Sequence, residues 1–500
     1  MTNSNNTNLP PDPAQSVPRG ITFGYALIPM VVMIACMAVA VIVFEASPHV
    51  PLLIGTATAA IVATAFGFKW NFIEESAYQG IKMALPAIVI IILIGLTIGA
   101  WIGGGIVATM VYYGLKLLSP SLFLFTMCAL CAVVTLAIGS SWATMGTIGI
   151  AAIGIGQSIG IPLPMVAGAV ISGAYFGDKM SPLSDTTNLA AGITGTDLFD
   201  HIRHMFYTTI PALVIALIAY YVMGMQFDTA TLDAGRINEV LAVLDKSFVI
   251  SPWLLLVPLA VILLIAFRVP AIPALGAGIL MGWGCHVFVQ GGEVGTAVKT
   301  LQAGFTLESG NKMVDELFNR GGIDAMMNTV SMTIVAMTFG GVMEKTGMLR
   351  ALVEKVLNMA RNAAGLITAT ITSGILTNLT TSEQYISILL PGRMYVNAFR
   401  KFRLASRNLS RALEDGGTVT SVLVPWNTCG VFAVSMMGVP TFDYAPYAVL
   451  NYTVPVVAVI LAFLGIGVAR MTPEEEKQVE QEEAAEREAI RQQTGRAIEV

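Results

Sequence analysis

Residues 177–188 read GDKMSPLSDTTN, two carboxylates and a lysine followed by hydroxyl and amide side chains, with apolar runs at 165–176 and 205–223 on either side. In hydrocarbon an ionisable side chain is costly, so such residues face a bundle interior, a water-filled cavity or an ion path. Of the 500 residues 55% are hydrophobic and 12% charged, and the mean hydropathy is +0.73, against roughly 45–50% apolar in soluble domains. Further apolar stretches at 21–44, 51–68, 85–101, 251–267, 330–342, 366–390 and 447–469 approach or exceed the roughly 20 residues that span a bilayer as a helix. A transmembrane barrel would show short alternating segments instead. The chain therefore reads as an all-α polytopic membrane protein.

Residues 1–20 form a polar tail without the basic start, short apolar core and cleavage site of a removable signal, so the tail is expected to be retained. The five cysteines lie in apolar stretches and show no disulfide framework, and Cys128-x-x-Cys131 is read as two core residues. Nine Glu against four Lys or Arg in residues 472–500 account for the whole net charge of −5. The membrane body is thus neutral, and the tail reads as a solvated cytoplasmic segment.

Two stretches resemble one another. Displacing the chain by 242 positions lays Gly80 on Gly322, Gly99 on Gly341, Gly105 on Gly347, Thr135 on Thr377 and Ser140 on Ser382. The polar clusters recur in the same order, GSSWATMGT (139–147) then PLSDTTN (182–188), and TNLTTSEQY (377–385) then PWNTCG (425–430). The expected organisation is leading transmembrane helices at 21–79, a first repeat at 80–205, connecting helices and polar loops at 206–321, a second repeat at 322–448 and a last transmembrane helix at 449–471. Residues 392–413 carry six basic residues and no acid, whereas residues 151–169 carry no charge. By the positive-inside tendency the first lies in the cytoplasm and the second outside. The expected architecture is therefore two inverted structural repeats with re-entrant hairpins and broken transmembrane helices, as in many secondary transporters. Arg400, Arg403, Arg407 and Arg411 also share one helical face, which predicts an amphipathic helix along the inner membrane surface.

Where a membrane helix unwinds, freed carbonyls and side-chain oxygens can ligate a small hard cation. Ser140, Ser141, Thr380, Thr381 and Ser382 read as hairpin tips. Pro182 predicts a break that leaves Asp185 among Ser181, Ser184, Thr186, Thr187 and Asn188. Asp185 is the favoured cation ligand, Asp178 and Glu383 are its charge partners, and Asn427 and Thr428 complete the site. A buried carboxylate is favoured neutral by desolvation and ionised by a bound cation, so one group can exchange a proton for an ion. Asp178 beside Lys179 could alternatively be a neutralised pair, and Glu344 with Lys345 a structural one. His201 and His204, i and i+3, lack a third metal ligand and read as an interfacial anchor. Trp142 and Trp426 read as hairpin-shaping residues.

The chain has no HExxH, no GxSxG and no GxxxxGK[ST], the residues that metalloproteases, hydrolases and ATP-driven pumps need. No enzymatic activity, cofactor or nucleic-acid partner is expected. A channel or a non-transporting scaffold is the rival from another class.

The run GDKMSPLSDTTNLAAGITGTDLFDHIRHM (177–205) closely resembles the signature region of NhaC-type sodium/proton antiporters, and LTNLTTSEQYISILLPGRMY and VPWNTCGVFAVSMMGVPTFDYAPYA resemble the same family. The resemblance implies a multi-pass carrier of the bacterial cytoplasmic (inner) membrane within an ion-transporter superfamily, with sodium and protons as its partners and a homodimeric state. Some members couple exchange to organic acids such as malate or lactate, and Lys179, Asn188, Asn378, Gln384 and Asn427 would be the donors for such an anion. The sequence departs from the family pattern at Ala191, where LAA stands for LAP.

Overall fold

Glycine spacing decides how two of the longest helices meet. The computed structural model describes residues 20–44, 47–117, 119–227, 234–267, 269–477 and 479–481, and the regular structure of the described part is helical apart from one isolated antiparallel bridge, Leu404 with Arg470. The expected N-terminal tail and most of the C-terminal one lie outside these residues.

Two leading helices, α1 (Phe23–Ala38) and α2 (His49–Ala65), precede α3 (Trp70–Gly103), α4 (Ile106–Leu117) and α5 (Phe123–Ile138). A short α6 (Ser141–Thr144) runs through one π-helical turn, Met145–Gly149, into α7 (Ile150–Ser158), followed by α8 (Leu163–Met180), α9 (Asp185–Thr194) and α10 (Leu198–Gly224). The connecting part holds α11 (Ala234–Ser247), α12 (Leu256–Ala266), α13 (Ala271–Phe288), α14 (Val294–Ala303) and α15 (Lys312–Phe318). Then come α16 (Gly322–Lys345), α17 (Met348–Leu357), α18 (Ala363–Thr381), α19 (Gln384–Lys401) and α20 (Ser406–Leu413), with a π-helical turn Glu414–Thr418. The described chain closes with α21 (Val419–Ser421), α22 (Thr428–Met437), α23 (Thr441–Tyr444) and α24 (Val449–Leu464). Among the described residues five helices are long and apolar enough to cross a membrane, or seven if each of two bent pairs counts as one span. The apolar run 366–390 is not a single span, because the helix stops at Thr381 and restarts at Gln384.

Element starts recur 242 or 243 positions apart: Ile106 and Met348, Ser141 and Gln384, Asp185 and Thr428, Leu198 and Thr441. Backbone conformations recur with them. Gly139 and Ser382 are both left-handed, at φ 78° and 61°, and Ser184 and Asn427 are both extended N-caps. The helices that open the two stretches, α3 and α16, pack along much of their length. Gly80, early in α3, abuts Gly341, late in α16, while Gly99, late in α3, abuts Gly322 at the start of α16. The two helices therefore run antiparallel, and small residues let their backbones touch.

A further expectation fails here. The basic segment is not a surface helix: α19 ends at Lys401, Arg403 is left-handed at φ 54°, and α20 is buried, Arg411 completely so. Arg407 and Arg403 instead pair with Glu475 and Glu476 of the chain that follows α24, at 3.0 and 3.7 Å. Their arginine periodicity spans a bend that regular helical phasing ignores.

Candidate functional site

Four helices begin at one cavity of about 570 Å3. The first residues of α6, α9, α19 and α22, namely Ser141, Asp185, Gln384 and Thr428, all line it, together with Asp178 and Glu383. Each start follows a break that the sequence encodes. Left-handed Gly139 and Ser382 end α5 and α18, and Ser140, Ser184, Glu383 and Asn427 cap the new helices with side-chain oxygens that accept backbone N–H groups. Ser181 to Ser184 separate α8 from α9, with the Leu183 N–H donating to Ser181 Oγ at 3.2 Å.

Asp178 is buried at the end of α8 and accepts from Ser141, at 2.5 Å from Oγ and 3.2 Å from the backbone N–H, while its Oδ1 has no partner. Glu383 is buried across the cavity. Its Oε2 accepts from Thr428 Oγ1 at 3.0 Å and its Oε1 from the Tyr385 N–H at 3.4 Å. The carboxylate thus sits just before the break between α8 and α9 in the first stretch and within the break between α18 and α19 in the second. Asp185 is the exposed member: Tyr385 donates its hydroxyl to Oδ2, and the Thr186 N–H donates to Oδ1 at 2.9 Å. All three carboxylates line the same cavity.

The lining carries three carboxylates and no Lys, Arg or His, a donor set that suits a cation. The walls are apolar and aromatic: Met83, Pro86, Ile90 and Ile94 of α3, Val261, Ile265 and Leu275 of α12 and α13, and Trp142, which stacks on Phe432 with ring centres 4.0 Å apart.

Of the residues expected at the site, Asp178, Asp185, Glu383, Ser140, Ser141, Thr186 and Thr428 line the cavity. The others support it from behind. Thr380 and Thr381 donate to the carbonyls of Leu376 (2.8 Å) and Thr377 (2.9 Å) within their own helix. Thr187 donates to the Asp178 and Lys179 carbonyls at 3.3 and 3.1 Å, and Asn188 to those of Pro182 and Ser184 at 2.9 and 2.6 Å. Asn427 donates to Asn378 Oδ1 at 3.1 Å, and the Ser382 carbonyl takes the Thr428 N–H at 2.9 Å.

Lys179 does not neutralise Asp178. It points the other way, onto Asp415, which also accepts from Thr208 at 3.0 Å and has Arg411 3.7 Å away. Lys179, Arg411, Glu414 and Asp415 are all completely buried. His201 and His204 are buried too rather than interfacial, because α20 packs over the start of α10. No group of three potential metal-ligating residues occurs among the described residues. Glu344 and Lys345 do pair, at 3.5 Å, and Trp426 donates to the Leu379 carbonyl at 2.9 Å.

Sequence reasoning missed Tyr385 as a partner of Asp185, and it missed Arg411, Glu414 and Asp415 as a buried charged group. The adjoining acids before Gly416-Gly417, directly after a basic segment and ahead of an apolar run, were the available signal.

The sequence profile of the Na+/H+ antiporter family matches residues 13–174 and 173–466. The Na(+)/H(+) antiporter NhaC of Alkalihalophilus pseudofirmus is 41% identical over 450 residues, covering 90% of this chain and 97% of its own. NhaC of Bacillus subtilis is 39% identical, covering 89% and 99%. The malate-2H(+)/Na(+)-lactate antiporter of Bacillus subtilis is 36% identical, covering 81% and 87%.

Proposed function

This chain belongs to the Na+/H+ antiporter family, and from that premise we propose that it exchanges sodium for protons across the bacterial cytoplasmic membrane by alternating access. The observation that carries the reading is the convergence of four helix starts and three carboxylates on one cavity.

Asp185, the accessible carboxylate, takes the cation. Asp178 and Glu383 share its charge, and Ser140, Ser141, Thr186 and Thr428 add hydroxyl oxygens beside it. Since a bound cation favours ionised carboxylates and desolvation favours neutral ones, sodium and protons displace one another at the same groups. That competition is sufficient for antiport. The remaining hydroxyls and amides, Ser181, Ser184, Thr187, Asn188, Thr380, Thr381, Ser382 and Asn427, hold the broken backbone in place.

The repeats, about 80–205 and 322–448, are inverted in this reading. The antiparallel crossing of α3 and α16 supports it, as does the charge contrast between residues 392–413 and 151–169. The basic segment then faces the cytoplasm. An organic-acid exchanger is the weaker reading, because of the five donors that would serve an anion only Gln384 lines the cavity.

Purified protein in liposomes tests the proposal. Proton movement should follow a sodium gradient imposed alone. A requirement for a dicarboxylate would replace the reading with organic-acid exchange, and passive current would replace it with a channel.

A further inference from the structure

Beyond α24 the chain turns back along α20 and is held there by its backbone. The Arg411 guanidinium donates to the Gly467 carbonyl at 2.8 Å, and buried Asn408 donates to the Ala469 carbonyl at 2.7 Å while accepting the Ala469 N–H at 2.9 Å. The Met471 N–H donates to the Arg403 carbonyl at 3.1 Å. Gly467 also lies against the Tyr207 ring of α10, where a methyl group would come within 3.0 Å.

Thr472 then opens a short acidic helix, residues 473–477, with a reciprocal cap: its Oγ1 accepts from the Glu475 N–H at 3.2 Å, and its own N–H donates to Glu475 Oε2 at 2.7 Å. This helix is held to α20 by contacts of another kind. Glu475 Oε1 accepts from Arg407 at 3.0 Å, and Glu476 lies 3.7 Å from Arg403, in partly exposed pairs. Glu475 and Val479 border a second cavity, of about 470 Å3, whose other side includes Thr194 at the end of α9 and Thr196 just beyond it. Asp197 and Asp200 on that side are acidic too, so the charge of the helix is met by the arginines and not by the facing wall. Because α9 starts with Asp185 at the first cavity, one helix of ten residues runs from the carboxylates to the space beside the acidic helix.

We propose that the acidic segment from Thr472 is an autoinhibitory lid on this second cavity, latched by Arg403 and Arg407 and released by ionic strength. Its effect on rate rests on the sodium/proton exchange reading above, whereas the lid itself rests on the contacts just described. Alternating access moves one repeat against the other around the site. The returning chain packs on Tyr207, in the helix that follows α9, and is latched to arginines of the second repeat, so in its closed position it opposes that movement and bounds the space into which the end of α9 can shift. Salt separates the two kinds of contact. Partly exposed ion pairs are screened as the Debye length falls from about 10 Å at 0.1 M to about 3 Å at 1 M ionic strength, while the hydrogen bonds of buried Asn408 and Arg411 are not. Residues 467–471 are thus the hinge and the acidic helix is the part that swings.

The test uses the full chain in liposomes at fixed sodium and proton gradients, with equal choline chloride on both sides. Raising choline chloride from about 0.05 to about 0.5 M should speed wild-type exchange about threefold. Glu475→Gln with Glu476→Gln removes the latch charges but keeps the Thr472 cap, since glutamine serves at that position as glutamate does; this variant should run at the faster rate from the outset and show no such rise. Opening is read directly by thiol labelling of purified Val479→Cys, above the background of the five native cysteines. Labelling should quicken with choline chloride in the otherwise native chain, and be fast at every salt concentration when the two glutamines are present. Wild-type exchange indifferent to choline chloride, a parallel rise in the glutamine variant, or labelling independent of salt overturns the proposal. Absence of exchange at any salt concentration counts instead against the sodium/proton reading, and the labelling still decides whether the lid exists.

Discussion

Gly80 of α3 and Gly341 of α16 meet backbone to backbone. A methyl group on Gly80 would lie 2.1 Å from the Met337 carbonyl oxygen and 2.9 Å from the Gly341 Cα. Under the displacement of 242 positions Gly341 corresponds to Gly99, and Gly99 itself meets Gly322, which corresponds to Gly80. The contact is thus reciprocal between the two stretches.

Gly80→Leu should therefore destabilise strongly, since the obstructing atoms belong to backbone that cannot rotate aside. Overpacking typically costs about 1–3 kcal/mol, occasionally more. Thermal unfolding followed by size-exclusion chromatography should show a clear fall in Tm or loss of the monodisperse peak. Gly24→Ala, where nothing lies within 4 Å, should leave both unchanged.

Asp185→Asn should abolish sodium-driven proton exchange while the protein inserts and purifies normally. Protons compete with sodium for the carboxylate, so in the wild type sodium affinity should fall as pH falls, approaching tenfold per unit when one proton is displaced per ion. Flux at a series of pH values measures this. Near-normal exchange by the variant with the same pH dependence would move the cation to Asp178 or Glu383.

The hydroxyl groups divide into two classes. Ser141 Oγ donates directly to Asp178 on the cavity wall, whereas Thr381 Oγ1 returns to its own helix. Ser141→Ala should weaken apparent sodium affinity severalfold, and Thr381→Ala should leave it within about twofold, since a solvent-remote helix back-bond contributes only about 1 kcal/mol to stability. Equal effects in the two variants would contradict the division.

Removing one member of a buried ion pair leaves the other uncompensated, at about 3–5 kcal/mol, whereas replacing the pair by apolar side chains is often neutral. Lys179→Met should accordingly lower Tm markedly. Lys179→Met with Asp415→Leu should recover most of the loss. Arg411 and Glu414 remain buried beside the pair, so full recovery is not expected.

Topology is tested at two exposed positions, Arg403 and Pro162. In intact cells a membrane-impermeant thiol reagent should label Pro162→Cys and spare Arg403→Cys. The opposite pattern would place the basic segment outside and reverse the orientation proposed for the chain.

Much of the architecture was legible because breaks are written in small and capping residues. Gly139, Ser184, Asn427 and Pro182 mark chain turns wherever they stand, and the three cavity carboxylates stood out against apolar neighbours. Direction was not legible. Thr380 and Thr381 are the right residue types at the right place, but whether a hydroxyl faces a cavity or its own helix depends on where α18 stops. Arg411 shows the same limit from the other side. Its charge argues for the membrane surface, and only the fold supplies Asp415 and the Gly467 carbonyl, 2.8 Å from its Nη1.

The same helix that is locked to α16 through Gly80 and Gly99 presents Met83, Pro86, Ala87, Ile90 and Ile94 to the cavity. At Gly80 and Gly99 the first face tolerates nothing larger than hydrogen, and the other meets a space that can absorb a change of side-chain size. Substitutions on the second face can alter what the cavity accepts without disturbing the joint that holds the two halves together. A lineage built on such a helix is free to diversify its cargo while its framework stays fixed.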